Sequence, residues 1–155
     1  MNFRIATITD ISEMQDLYVN TIKSVCKKEY GALQIEAWIS GANNHERWLD
    51  VVTNQFVFLA IIEGKIAGYG TLKDGNYIDL FFIHKDFQRK GIAEKIYNEL
   101  ENKAKNADSK FITADVSITA KPFFEKKGFR VEKEQHNLIK NVELINYKMV
   151  KEFES

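Results

Sequence analysis

The chain has 155 residues, a length that fits one domain with a sizeable core. Lysine plus arginine and aspartate plus glutamate both number 22, so a formal net charge of zero gives no global attraction to nucleic acid or an anionic membrane. The longest apolar run, Phe56 to Ile62, falls far short of the roughly 20 residues that span a bilayer, and the start Met1-Asn2-Phe3-Arg4-Ile5 lacks signal-peptide design, so a soluble, cytoplasmic protein is expected.

Phe3 to Ile8 reads as a first strand. Asp10, with Glu13 three residues on, resembles a capping box. Ile11, Met14, Leu17, Tyr18, Ile22 and Val25 then form an apolar stripe on a helix running to about Lys28. Tyr30-Gly31 breaks it. Short helices follow over Gln34 to Ser40 and Glu46 to Val52, interrupted by Gly41-Ala42-Asn43-Asn44. Trp48 is expected in the core. Tyr30 and Trp38 sit in the broken region and are candidates for a substrate-pocket wall, with core anchoring as the alternative.

Gln55 to Ile62, Ile66 to Leu72 and Tyr77 to Ile83 read as an antiparallel meander, reversed at Glu63-Gly64-Lys65 and at Asp74-Gly75. Gly68 and Gly70 inside the second strand imply a bulge or a close backbone approach. A long helix, Ile92 to Ala107, carries Ile92, Ile96, Leu100 and Ala104 on one face. Phe111 to Val116 is the next strand, and the strand–helix–strand order places it parallel to Tyr77–Ile83. Pro122 opens a short helix that Gly128 stops. Phe129 to Gln135 and Val142 to Val150 are the last two strands, around Lys140-Asn141. No repeat or linker divides the chain, so 1–155 is expected to form one domain.

The polar turn after Ile83 contains Gln88-Arg89-Lys90-Gly91-Ile92-Ala93 and opens directly into the long helix. Free N–H groups and the positive dipole end at a helix start suit an anion such as a pyrophosphate. Gly91 admits a ligand close to the backbone. An ordinary solvated turn is the alternative. Asp79 is a carboxylate inside an apolar strand, where burial raises a pKa toward a useful range for a general base. It equally reads as a cap or as the partner of a neighbouring lysine. Asp115 on the next strand and His84 at a strand end are further candidates. His45, His84 and His136 show no paired ligand spacing, so no metal is expected. Cys26, the one cysteine, excludes an internal disulfide framework and reads as a core residue.

The stretch Gln88 to Ala93 resembles motif A of the Gcn5-related N-acetyltransferase (GNAT) superfamily, Gln/Arg-x-x-Gly-x-Gly/Ala after a central strand, at every specified position. Ala120, Phe123, Glu125, Lys126, Gly128 and Phe129 fall in register with its motif B, and Ala114 to Glu125 looks like the YafP-type bacterial branch. The resemblance implies an α/β (mixed α+β) GNAT fold: a twisted mixed sheet of about seven strands, helices on both faces and a splayed central parallel pair. It implies acetyl-CoA as co-substrate and N-acetylation of a small-molecule or peptide amine by direct attack in a ternary complex.

By the same resemblance Gln88, Arg89, Lys90, Gly91, Ile92 and Ala93 hold the pyrophosphate, and the backbone of Phe81, Phe82 and Ile83 holds the pantetheine arm. Ser117 stands where asparagine is common, and Phe124 where a tyrosine often protonates the leaving thiolate. Both are expected cofactor contacts. Because phenylalanine has no proton to give, Tyr147, Tyr69 and Tyr97 become candidates for that acid, and Tyr69 also for substrate contact. The alternatives are a non-catalytic acyl-CoA sensor and a protein-interaction module built on the aromatic broken helices. A homodimer through the last strands is expected by analogy only.

Overall fold

The computed structural model describes residues 1–154. Its strands are β1 (Asn2–Ile5), β2 (Phe56–Ile62), β3 (Lys65–Lys73), β4 (Tyr77–Ile83), β5 (Phe111–Ser117), β6 (Arg130–Ile139) and β7 (Val142–Glu152). They form a seven-stranded sheet in the order β1-β2-β3-β4-β5-β7-β6. Every neighbouring pair is antiparallel except β4–β5. The helices are α1 (Ile11–Val25), α2 (Ala32–Ile39), α3 (His45–Asn54), α4 (Ile92–Asn106) and α5 (Lys121–Lys126).

The expected stripe of α4 is the centre of one core: Ile92, Ile96, Leu100 and Ala104 are at most 1% exposed and pack with Phe124, Phe129 and Met149. The stripe of α1 joins Trp48 and Val51 of α3 in a second core, against Leu59, Ile66, Tyr69 and Leu80. The glycines in β3 mark a close approach. A Cβ on Gly70 would meet Ile96 Cγ2 at 2.8 Å and Leu100 Cδ1 at 2.9 Å, so the missing side chain lets α4 seat directly on the strand.

Local chemistry alters several expected boundaries. β1 stops at Ile5, and residues 8–10 form a 3-10 turn. Asp10 does not pair with Glu13 in a capping box. It accepts the Thr7 N–H at 2.8 Å and a bidentate hydrogen bond from Arg4. Glu13 instead accepts the Ile66 N–H at 2.6 Å, tying α1 to β3. The last hairpin is longer than its apolar pattern suggests. Lys140 and Asn141 both adopt positive φ, 50° and 64°, the two-residue turn that matches strand twist, so pairing continues to the loop.

The feature that positions the site is a bulge in β4. Gly70 pairs with Phe81 and Leu72 with Ile78, so Asp79 and Leu80 together oppose Thr71. The Leu80 N–H, displaced from the ladder, donates to the buried Thr71 hydroxyl at 3.0 Å. On the other edge, β4 pairs with β5 only at Tyr77↔Thr113 and Ile78↔Ala114. Beyond Ile78 the two parallel strands separate, which is the expected splay.

The close seating of α4 has a direct test. Gly70→Ala should lower stability by about 1–3 kcal/mol through overpacking, read as a fall in the urea midpoint. An unchanged midpoint would show that α4 has room to move away.

Candidate active site

The splay leaves one edge of β4 open. The His84 N–H donates to Ala67 O and the Leu80 N–H to Thr71, both on β3. Backbone groups alternate in direction along a strand, so Phe81 and Ile83 turn theirs toward the splay. The Ile83 carbonyl there accepts Thr21 Oγ1 at 3.0 Å and Gln88 Nε2 at 2.7 Å. No strand pairs with Phe81 or Ile83 on this edge among the described residues. Phe82 faces the other way, with its ring between Tyr18 at 5.0 Å and Tyr69 at 6.1 Å.

Gln88 closes the turn through its hydrogen bond to Ile83, so its side chain organises the loop. Arg89 and Lys90 are exposed. Gly91 is the N-cap of α4 at φ 77°, no side chain caps the helix, and a Cβ there would meet nothing within 4 Å. This is an open cradle over unpartnered N–H groups, which fits an anion. The Ile92 side chain is buried in the core at 1% exposure, so its contribution to the cradle is its N–H alone.

Two cavities flank the splay. The smaller, about 200 Å³, is lined by Phe81, Ile83, Gln88, Ala93, Thr119 and Phe124, among others. Thr119 Oγ1 is shielded there from solvent, beside the Cys26 thiol, and has no nitrogen or oxygen partner among the described residues. Cys26 also lines it, with its thiol pushed up by burial. The larger cavity, about 760 Å³, is lined by Tyr18, Tyr30, Arg47, Tyr77, Asp79 and Asp115, with the β6–β7 hairpin on one side. Trp38, Phe82 and Ser117 line both cavities and mark where they meet.

The two strand carboxylates have different partners. Arg47 of α3 grips Asp79 with two hydrogen bonds of 2.9 Å, and Gln55 adds a third at 2.7 Å. Burial pushes the Asp79 carboxyl up, but Arg47 and Gln55 outweigh it and hold the pKa below the ordinary 3.8. This overturns the expectation of a raised pKa: Asp79 is an ion-paired anion and a poor proton acceptor. Asp115 has neutral partners, accepting Tyr77 Oη at 2.6 Å and Gln135 Nε2 at 2.8 Å. Lys148 lies opposite it in register but turns its ammonium to Glu132, 3.8 Å away. Burial, and then the Asp115 hydrogen bond, raise the Tyr77 pKa well above the ordinary range.

The remaining expectations divide. Tyr30 lines the larger cavity, where it meets Trp38 edge to face at 5.2 Å, and it is also an anchor. Its hydroxyl donates to Ile145 O at 2.6 Å and accepts the Ile118 N–H at 3.0 Å. Tyr69 cannot contact a substrate: it is fully buried, and its hydroxyl donates to Met14 O. Tyr97 is buried and donates to Glu101. Tyr147 lines neither cavity and lies under the Lys121 ammonium. Arg47 and Gln135 were not singled out by their sequence. Arg47 lies 32 residues from Asp79, and only the tertiary fold joins them.

Removing the Arg47 charge should expose its role. Arg47→Ala leaves Asp79, whose side chain is 10% exposed, without its cation and should cost about 1–3 kcal/mol at neutral pH. A carboxyl with a depressed folded pKa contributes stability above its ordinary 3.8 that is lost as pH falls through the folded value. Urea melts of wild type and variant should therefore converge in acid. A gap constant down to about pH 2 would contradict the pairing.

A family model described as an acetyltransferase (GNAT) domain matches residues 26–151. The uncharacterized N-acetyltransferase YafP of Escherichia coli strain K12 is 29% identical over 126 residues, covering 81% of this chain and 79% of that protein. Among solved structures, a GCN5-related N-acetyltransferase from Rhodopseudomonas palustris superposes with a TM-score of 0.94 at 24% identity, covering 98% of this chain and 95% of the other. The PaiA N-acetyltransferase of Thermoplasma acidophilum, solved with coenzyme A, gives a TM-score of 0.82 at 18% identity over 98% of each chain. With the matched model covering both expected motifs and the splayed sheet between them, the chain belongs to the GNAT family of acetyltransferases.

Proposed function

We propose that this acetyltransferase moves the acetyl group of acetyl-CoA to a small-molecule primary amine by direct attack in a ternary complex. The observation that carries the reading is the meeting of two cavities at Trp38, Phe82 and Ser117, beside the open edge of β4. One cavity suits the thioester arm and the other the acceptor.

The chain fits acetyl-CoA on its own geometry. The Gly91 cradle and the N–H groups of Ile92 and Ala93 suit the pyrophosphate, and exposed Arg89 and Lys90 add charge. The Phe81 backbone and the Ile83 N–H, unpaired on this edge, suit the amides of the pantetheine arm, and the Thr119 hydroxyl lies beside them where a polar ligand atom would pair with it. The solved PaiA relative holds coenzyme A, consistent with this use of the fold.

The larger cavity has the size of a small-molecule site. Tyr18, Tyr30 and Trp38 offer aromatic surface to an apolar body, and aromatic faces also favour a cation. Arg47 neutralises Asp79, so Asp115, with neutral donors only, is the carboxylate that meets an ammonium. Asp115 is the proton acceptor, directly or through a water held with Tyr77, and deprotonation frees the amine lone pair for attack. Asp79 acts through Arg47 to hold α3 against β4 as one wall of the cavity. A non-catalytic acyl-CoA sensor is the second reading, favoured by Phe124 in place of a hydroxyl-bearing side chain.

An amine panel with acetyl-CoA, read by thiol release, tests the function. Asp115→Asn should lower turnover about 10²- to 10⁴-fold while acetyl-CoA still raises the melting temperature. Full activity in the variant would remove Asp115 from the chemistry. A wild type that binds acetyl-CoA but turns over no amine would favour the sensor.

A further inference from the structure

The charge that develops on the leaving sulfur needs a partner, and the usual candidates in this chain are engaged elsewhere. Phe124 is 3% exposed and is packed edge-on against Phe123, Phe129 and Phe81 at 5.1–5.6 Å, with no polar atom to offer. The chain has six tyrosines. The hydroxyls of Tyr18, Tyr30, Tyr69, Tyr77 and Tyr97 each donate to a protein acceptor: Trp38 O, Ile145 O, Met14 O, Asp115 and Glu101. Tyr147 lines neither cavity. Thr21, at the edge of the cofactor cavity, donates to Ile83 O.

Ser117 is different. It is the last residue of β5, half-buried, and the one hydroxyl lining both cavities among the described residues. Its Oγ accepts the Ala120 N–H at 3.1 Å, the first turn of the chain after the strand. That bond fixes the oxygen and leaves the hydroxyl proton unused, since no protein acceptor lies within hydrogen-bond reach among the described residues. A hydroxyl whose oxygen already accepts a hydrogen bond is also a better donor, because the two bonds polarise each other.

We propose that the Ser117 hydroxyl donates a hydrogen bond to the sulfur of coenzyme A as the thioester breaks, the task for which Phe124 has no group. The inference rests on the acetyl-transfer reading above. The amine nitrogen bonds to the acetyl carbon, the carbon–sulfur bond breaks, and the electron pair stays on sulfur. Asp115 passes the first amine proton on to solvent, and the surplus proton on the attacked nitrogen follows by the same route, through Asp115 or its water. The sulfur leaves as a thiolate stabilised by the Ser117 O–H and takes its proton from water afterwards. Ser117 keeps its own proton throughout, as it must, because an alkoxide is a far stronger base than a thiolate. The effect is preorganised stabilisation of developing charge by a fixed donor.

The test compares Ser117→Ala with wild type using acetyl-CoA and its selenoester analogue, acetyl-seleno-CoA, whose selenolate leaves more readily and needs less help. With acetyl-CoA the variant should lose about 10²-fold in kcat, near the lower end for one donor lost where charge develops. With the selenoester the two enzymes should differ by much less. Acetyl-CoA should still raise the melting temperature of the variant, which separates catalysis from folding and binding. The double variant Ser117→Ala/Phe124→Tyr, which returns a hydroxyl to the same cavity, should recover part of the lost kcat. A Ser117→Ala enzyme within about twofold of wild type, a loss equal for both esters, or a leaving-group effect that appears in Thr119→Val instead would overturn the proposal. If the wild type transfers acetyl to no amine, the acetyl-transfer reading fails and takes this inference with it. An active wild type with an unaffected variant overturns the inference alone.

Discussion

The site depends on one extra residue in one strand. Asp79 and Leu80 share the space opposite Thr71, and from that point β4 no longer runs beside β5. Thr71 makes the irregularity tolerable: its buried hydroxyl takes the Leu80 N–H that would otherwise be orphaned. The same bulge resets which way the side chains point. Tyr77 and Asp79 face the larger cavity before it, and Leu80 and Phe82 continue on that side after it. Phe81 and Ile83 are thereby sent toward α4, with the Phe81 backbone and the Ile83 N–H open to the splay. A straight strand would put the open edge beside the smaller cavity and the wall of the larger one out of register with each other.

Electrostatics then assigns separate work to two carboxylates of similar appearance. Asp79 is enclosed but paired bidentately with Arg47, so it is locked as an anion and connects α3 to the sheet. Asp115 is exposed to the cavity and held by a phenol and an amide, neither of which cancels its charge. A pair tightens geometry, whereas a carboxylate with neutral partners keeps its charge unmatched by any cation of the protein. The difference lies in which helix or strand faces each residue, and not in the residues themselves.

That distinction explains what could be read from the sequence. The stripe on α4, the tight turns, the glycine that opens α4 and the order of elements are local patterns, and the structure reproduces them. The close approach at Gly70 was visible as a glycine inside a strand. A bulge was also signalled there, since the β3–β4 register shift falls beside Gly70 and the β2–β3 shift beside Gly68, but its extra residue in β4 was not, because Tyr77 to Ile83 contains no glycine or proline to mark it. The partner of Asp79 was out of reach for a related reason: Arg47 sits on a solvated-looking helix face and meets its carboxylate only through the tertiary fold. Tyr69 shows the opposite failure. A tyrosine on a central strand has a polar handle that suggests contact with a ligand, yet its hydroxyl is satisfied inside the core by Met14 O.

Backbone hydrogen exchange at β4, with and without saturating acetyl-CoA, tests the central claim most directly. The claim is that the edge opened by the bulge holds the thioester arm. It predicts that the Phe81 and Ile83 amides slow by about tenfold or more on binding, with protection also at Ile92 and Ala93, while Ile78, already paired with β5, changes little. Binding that protects the α4 start but leaves Phe81 and Ile83 unchanged would contradict it and place the arm elsewhere.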